Sequence, residues 1–195
     1  LKPFQRPRPP IVVTAVAPFS KGVTAAAERG WDPISANFLL PKWVKTHWDS
    51  YAQGCETAGR PALPANWRVA KSIFVTDNDD ALAKRYAHTA EGPYHFYFKQ
   101  LIRKLVGYGG RSNLFKADQS EPDDSINADT VAPKLVIAGS VDSVVDQILA
   151  LRDDVGDFGT LLYACHDWMD PAMGKRSMTL MAEQVMPRVN AAIGS

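Results

Sequence analysis

The alternation of strand-like and helix-like segments is the feature of this sequence that most restricts its fold. Short runs rich in β-branched and aromatic residues recur along the 195 residues, and helical patterns follow them after loops. This order is typical of a parallel α/β architecture, in which ligands bind at the loops after the carboxyl ends of the strands. We predict strands at residues 11–16, 33–39, 67–75 and 158–165.

Several helix ends are marked by residues that cap or interrupt helices. Ser140 is placed as the N-cap of a helix that Gly156 ends. Pro187 must either kink the last predicted helix, residues 176–191, or fall in a fresh first turn. Residues 111–127 are polar and rich in turn formers, and a connection of this length in a compact domain is predicted to be an excursion loop.

The composition argues against several classes of function. With 22 basic and 21 acidic residues the net charge is +1, so nothing favours nucleic acid as a partner. No run reaches the roughly 18 apolar residues that a membrane span needs. Cys55 and Cys165 form no CxxC pair, which favours two reduced thiols in a cytoplasmic protein. The acids between residues 118 and 124 follow no calcium-loop pattern, so we predict no metal site.

The loop after the first predicted strand is the strongest candidate for a binding site. It runs from Ala17 to Gly22, and the helix behind it offers unpaired N–H groups and a partial positive charge to a phosphate. Ser20 adds a hydroxyl donor, Lys21 adds a positive charge, and Gly22 lets the backbone approach a ligand closely. The alternative interpretation is simple helix capping, because the spacing alone is a weak signal.

Polar residues near two other strands form a second candidate. His166, Asp167 and Trp168 follow the fourth predicted strand, where a histidine beside a carboxylate could transfer a proton or orient a substrate. A surface turn capped by Asp167 is the alternative. Ser35 and Asn37 fall in the second predicted strand, either as ligand contacts or as partners of the neighbouring backbone.

Six stretches of the sequence follow the order of one known family. They are residues 9–20, 28–35, 67–70, 136–140, 158–162 with 166–168, and 176–187. In these stretches the chain resembles the C-terminal half of the bacterial luciferase-like flavin monooxygenases, in the branch of the limonene and alkanal monooxygenases. The resemblance implies an α/β fold of the (β/α)8 TIM-barrel type, to which residues 1–195 would contribute about the last four βα units.

The resemblance also implies a chemistry, its cofactor and its partners. Reduced FMN from a separate NAD(P)H-dependent flavin reductase would be used with O2 to oxygenate a small apolar terpene, ketone or aldehyde, and a homodimer is expected. The family's catalytic histidine, where one is used, lies in the N-terminal half, so we assign no catalytic residue. The residues expected to bind the cofactor are Ala17, Ser20, Lys21 and Gly22. The residues expected in the substrate pocket are Ser35, Asn37, His166 and Trp168.

Half of a barrel raises a structural question, because it would leave two strand edges unpaired. We expect either a fragment of a longer protein, a half that pairs with another half, or a different mode of closure, and this chain alone could be inactive. Three alternatives remain open at this point. They are a noncatalytic flavin-binding protein, a deazaflavin-dependent oxidoreductase on the same barrel, and a self-contained doubly wound α/β domain.

Overall fold

Parallel strands and helices alternate through residues 4–166 and 168–194, the part of the chain that this computed structural model describes. The predicted α/β class is therefore confirmed. The strands are β1 Val12–Ala15, β2 Asp32–Ser35, β3 Arg68–Thr76, β4 Val136–Ser140 and β5 Thr160–Ala164. The helices are α1 Lys21–Glu28, α2 Pro41–Thr57, α3 Asp80–His88, α4 Pro93–Ile102, α5 Ala128–Leu135, α6 Val141–Val155, α7 Pro171–Leu180 and α8 Met186–Ile193.

The long strand β3 organises the sheet. Arg68 pairs with Ile34 of β2 and with Thr160 of β5, while Ser72 pairs with Val136 of β4 and also with β5. Each strand has only two edges, so β5 occupies one edge of β3, and β2 and β4 share the other. Because β1 pairs in parallel with β2, the order across the sheet is β1, β2, β3, β5, with β4 beside the second half of β3.

Strand β4 is the element that sequence reasoning missed. The sequence predicts a short helix over residues 129–136 and no strand between it and the N-cap at Ser140, but the chain passes from Leu135 of α5 directly into β4. No turn former separates the two elements, so the boundary has no local signal. Glycine is favoured at position 139, because a Cβ there would lie 2.8 Å from Ser143 Cβ, which cannot rotate away.

The helix caps predicted from the sequence are confirmed. Ser140 Oγ accepts a hydrogen bond from the N–H of Ser143, and α6 ends at Gly156, whose φ is +98°. At the C-terminal end, a π-helical turn over Met181–Val185 separates α7 from α8, and Pro187 falls in the first turn of α8. Proline is tolerated there because that turn needs no N–H donor.

The core lies between the sheet and the surrounding helices. Trp67, Phe74, Tyr94 and Phe98 are among its largest fully buried side chains. A smaller cluster around Tyr51 joins β1, α1 and α2. Within the described residues, no helix is both long enough and apolar enough to cross a membrane.

One face of the sheet carries exposed apolar side chains on its two outer strands. Val12 of β1 is 40% exposed and Leu162 of β5 is 45% exposed, whereas Ala15, which points to the helices, is buried. Among the described residues, β1 pairs only with β2, and β5 only with β3. Apolar side chains on a sheet are usually covered by another layer or by further strands.

Candidate functional site

The loop between β1 and α1 brings the four predicted cofactor-binding residues together. Ser20 is the N-cap of α1, and its Oγ accepts a hydrogen bond from the N–H of Val23 at 3.3 Å. Lys21 and Gly22 are exposed in the first turn of α1, where the backbone N–H groups have no acceptor within the helix. A Cβ on Gly22 would come no closer than 3.6 Å to Ser20 Oγ, so no neighbouring protein atom requires glycine there. Ala17 lies in this loop, two residues after the end of β1.

Two adjacent side chains of α2 hold this loop. Thr46 Oγ1 accepts a hydrogen bond from the N–H of Phe19 at 3.0 Å and donates one to the Trp43 carbonyl at 2.7 Å. His47 Nε2 lies 2.8 Å from the carbonyl oxygen of Ala17. Because a carbonyl oxygen can only accept, Nε2 must carry the proton, and Nδ1 of the neutral ring is then an acceptor.

The same histidine also engages Ser35. Ser35 Oγ lies 2.9 Å from His47 Nδ1 and accepts a hydrogen bond from Trp67 Nε1 at 3.0 Å. The hydroxyl therefore donates to the imidazole and accepts from the indole, and its side chain is fully buried. The sequence places Ser35 in the substrate pocket or as a partner of neighbouring groups; in the structure its hydroxyl is buried and bonded to His47 and Trp67, and its contact with a substrate stays a prediction.

This buried network predicts a pH dependence of stability. Burial lowers the pKa of His47 below its ordinary value of 6.5, against a smaller opposing effect of the bond to Ala17. The unfolded chain then binds protons more readily, so the free energy of unfolding should fall as the pH drops below about 6.5. His47→Gln, which keeps an N–H donor, should reduce that slope when denaturant unfolding is followed between about pH 5 and 8. The pKa of His88 is also lowered by burial, so some slope should remain; an unchanged slope would contradict the assignment to His47.

Three of the predicted pocket residues meet around Tyr97. The Tyr97 hydroxyl donates to Asn37 Oδ1 at 3.2 Å, and Asn37 Nδ2 donates to Ser72 Oγ at 2.8 Å. The His166 ring lies 4.6 Å from the Tyr97 ring, with 31° between their planes, and 4.9 Å from the Trp168 ring. Asn37 lies in the turn after β2 rather than in the strand, because β2 is shorter than predicted.

Tyr94 supports the same cluster from the core. Its ring meets the His166 ring edge-on at 4.7 Å, and its hydroxyl donates to the Ile73 carbonyl and accepts from the backbone N–H of His166 at 3.4 Å. Burial strongly raises the pKa of Tyr94, so this phenol stays protonated and serves as a support. Trp168 is 52% exposed, so the cluster reaches the surface. Asp167, which sequence reasoning pairs with His166, lies outside the described residues.

A cavity at the carboxyl end of β3 was not predicted. It has a volume of about 220 Å³, and Phe74, Leu82 and Met173 line it. Arg176 of α7 donates to both carboxylate oxygens of Asp77, next to this cavity, and so lowers the pKa of Asp77. The two residues lie far apart in sequence, so no local pattern could join them. Among the described residues, no group of three or more His, Cys, Asp or Glu side chains is placed to hold a metal ion.

Comparison with known proteins relates this chain to monooxygenases. No protein-family model matches the chain. The chain is 27% identical over 188 residues to 3,6-diketocamphane 1,6-monooxygenase of Pseudomonas putida, covering 96% of this chain and 49% of that protein. It is 28% identical over 192 residues to 4-hydroxyprotoasukamycin monooxygenase of Streptomyces nodosus subsp. asukaensis, and this match covers 95% of this chain and 48% of that protein. The chain thus spans about half the length of the curated relatives it matches.

A solved structure agrees with these sequence matches. The oxygenating constituent of the Pseudomonas putida 3,6-diketocamphane monooxygenase, described as a type II Baeyer-Villiger monooxygenase in complex with FMN, superposes with a TM-score of 0.80. The sequences are 27% identical, and the match covers 93% of this chain and 49% of that one. The resemblance predicted from the sequence is confirmed: in sequence and fold, this chain is similar to about half of a luciferase-like flavin monooxygenase.

Proposed function

We propose that the chain forms part of an FMN-dependent monooxygenase that oxygenates a small apolar substrate such as a terpene, ketone or aldehyde. The observation that carries the proposal is the similarity to a monooxygenase constituent solved in complex with FMN, which extends over 93% of this chain. That similarity also favours FMN over a deazaflavin, the cofactor of one alternative. The names of the diketocamphane relatives favour a cyclic ketone within the substrate class.

The β1–α1 loop fits the phosphate of FMN. Ser20 offers a hydroxyl, Lys21 an ammonium group, and the first turn of α1 offers backbone N–H groups, which together are the donors that bind phosphate at helix N-termini. His47 and Thr46 fix the loop through Ala17 and Phe19, so these donors are held before a ligand arrives.

The cluster around Tyr97 fits an apolar substrate with one polar group. Bound reduced FMN would supply the electrons with which O2 is activated and one oxygen atom reaches the substrate. The rings of Tyr97, His166 and Trp168 would exclude water from an apolar ligand. The Asn37 amide, held between Tyr97 and Ser72, would orient a substrate carbonyl through its second N–H.

The proposal includes partners beyond this chain. Reduced FMN would come from a separate NAD(P)H-dependent reductase in the cytoplasm, and two copies of the enzyme would form a homodimer. Further strands would cover the exposed face that carries Val12 and Leu162 and complete a (β/α)8 barrel. The similarity to about half of each relative supports this closure.

Ser20→Ala tests the phosphate contact. We expect the variant to bind FMN about tenfold more weakly, because a hydrogen bond to a charged group is lost, and to bind riboflavin, which lacks the phosphate, as well as before. Quenching of flavin fluorescence on titration with the full-length protein measures both affinities. Ser140→Ala is the matched control, since it removes the same kind of N-cap from α6. If Ser20→Ala lost the same affinity for FMN and for riboflavin, Ser20 would stabilise the fold of the loop and would not contact the phosphate.

Oxygen consumption tests the reaction itself. With chemically reduced FMN, we expect uptake of O2 coupled to oxygenation of a cyclic ketone, measured as a product heavier by one oxygen atom. Retention of flavin without product would favour the noncatalytic flavin-binding protein. Turnover without O2, with a deazaflavin, would favour the hydride-transfer alternative.

A further inference from the structure

Phe19 has a backbone conformation that its side chain disfavours. Its φ is +50°, and among the described residues it is the one residue other than glycine with a positive φ. A side chain in this left-handed region costs on the order of 1 kcal/mol and persists only where the surroundings hold it. The hydrogen bond from the Phe19 N–H to Thr46 Oγ1, at 3.0 Å, is the contact that holds it here.

The strained backbone presents an aromatic ring to solvent. Phe19 is 69% exposed, and its ring makes a T-shaped contact with the Trp43 ring, with centroids 6.3 Å apart and 71° between the planes. Lys42 Nζ lies 4.7 Å from the centroid of the same indole. An exposed ring gains little from burial in the folded chain, so neither the conformation nor the ring position is explained by stability.

We propose that the Phe19 ring is an apolar contact for the bound flavin, separate from the phosphate contact at Ser20, and that Thr46 is its positioning residue. The inference rests on the proposed FMN function. Phe19 directly precedes Ser20, so a ligand whose phosphate meets the first turn of α1 passes beside this ring. Aromatic rings favour stacked or edge contacts with other rings, and burial of the exposed ring would then repay the strain on binding.

The test compares stability with affinity for two flavins. Phe19→Asn keeps a side chain that tolerates the left-handed region but removes the ring. We expect the unfolding temperature to stay equal or rise, while the affinities for FMN and riboflavin both fall about tenfold. This pattern differs from that of Ser20→Ala, which should affect FMN alone. Equal affinities with a lowered unfolding temperature would overturn the inference, because Phe19 would then serve only to pack against Trp43.

Thr46 supplies a second pair of variants. Thr46→Ser keeps the acceptor for the Phe19 N–H and should bind both flavins like the wild type, whereas Thr46→Val should lose affinity for both. If the wild-type full-length protein binds neither flavin, the proposed function fails, and this inference falls with it. If it binds both and Phe19→Asn binds equally well, only the inference about Phe19 is refuted.

Discussion

Replacing Lys71 by methionine is expected to raise the free energy of unfolding at pH 7 by about 2 kcal/mol. Lys71 lies in β3, is 2% exposed, and donates from Nζ to the Leu39 carbonyl at 3.0 Å. Burial lowers its pKa from 10.5 to about 8. Keeping the charge in the core at pH 7 then costs about 3 kcal/mol. Loss of the bond to Leu39 offsets about 1 kcal/mol of the gain.

The pH dependence identifies the cause. Between about pH 8 and 10.5 the unfolded chain binds the Lys71 proton more often than the folded chain, so wild-type stability rises with pH there. The advantage of Lys71→Met should therefore shrink by about 2 kcal/mol between about pH 7 and 9.5 in denaturant unfolding. Lys45→Met, an exposed change on α2, is the matched control and should shift stability little at either pH. If the difference in the free energy of unfolding between Lys71→Met and the wild type stayed constant with pH, the charge of Lys71 would not be the cause of the lower wild-type stability.

Gly54→Ala is expected to lower the free energy of unfolding by about 2–3 kcal/mol. Gly54 lies in α2 where this helix crosses α1, and a Cβ there would lie 2.3 Å from the Thr24 carbonyl oxygen and 2.6 Å from Ala27 Cβ. Neither neighbour can turn away, because one is helix backbone and the other is a methyl group with no rotamers. The helices must separate, which outweighs the gain of about 1 kcal/mol in helix propensity.

The change at Gly54 should also reach the candidate flavin loop. Gly107→Ala is the matched control, because a Cβ there meets nothing within 4 Å. Denaturant unfolding measures both variants, and amide exchange should show faster opening of α1 in the Gly54 variant only. FMN binding should weaken with it, since α1 carries Ser20. If Gly54→Ala had the same free energy of unfolding as the wild type, α1 and α2 could move apart without a loss of stability.

Local signals were sufficient for the elements that position the loop. Ser20 as an N-cap and the strand before it follow from short patterns of polarity and β-branching, and both are present in the structure. β2 is shorter than predicted because the apolar residues after Ser35 belong to a turn that covers the core. A short apolar run cannot by itself distinguish a strand from a buried turn.

The hydrogen-bond network behind the loop could not have been predicted from the sequence. Ser35 ends β2, His47 lies in α2 and Trp67 directly precedes β3, so the three meet only once the sheet and α2 are packed. The bond from the Tyr97 hydroxyl to Asn37 also joins residues that are distant in sequence, so no local pattern indicates it. The burial of Lys71 has no local sequence signal either, since it depends on neighbours that are distant in sequence.

The pairing of β3 with β5 has a consequence for the synthesis of the chain. Arg68 lies beside Thr160, which leaves the ribosome ~90 residues later, on the order of ten seconds at typical elongation rates. During that interval one edge of β3 has no strand to pair with, while β2 and β4 can already occupy the other. A nascent chain in this state exposes the edge to other nascent chains, so we expect chaperone dependence to end only when β5 has emerged.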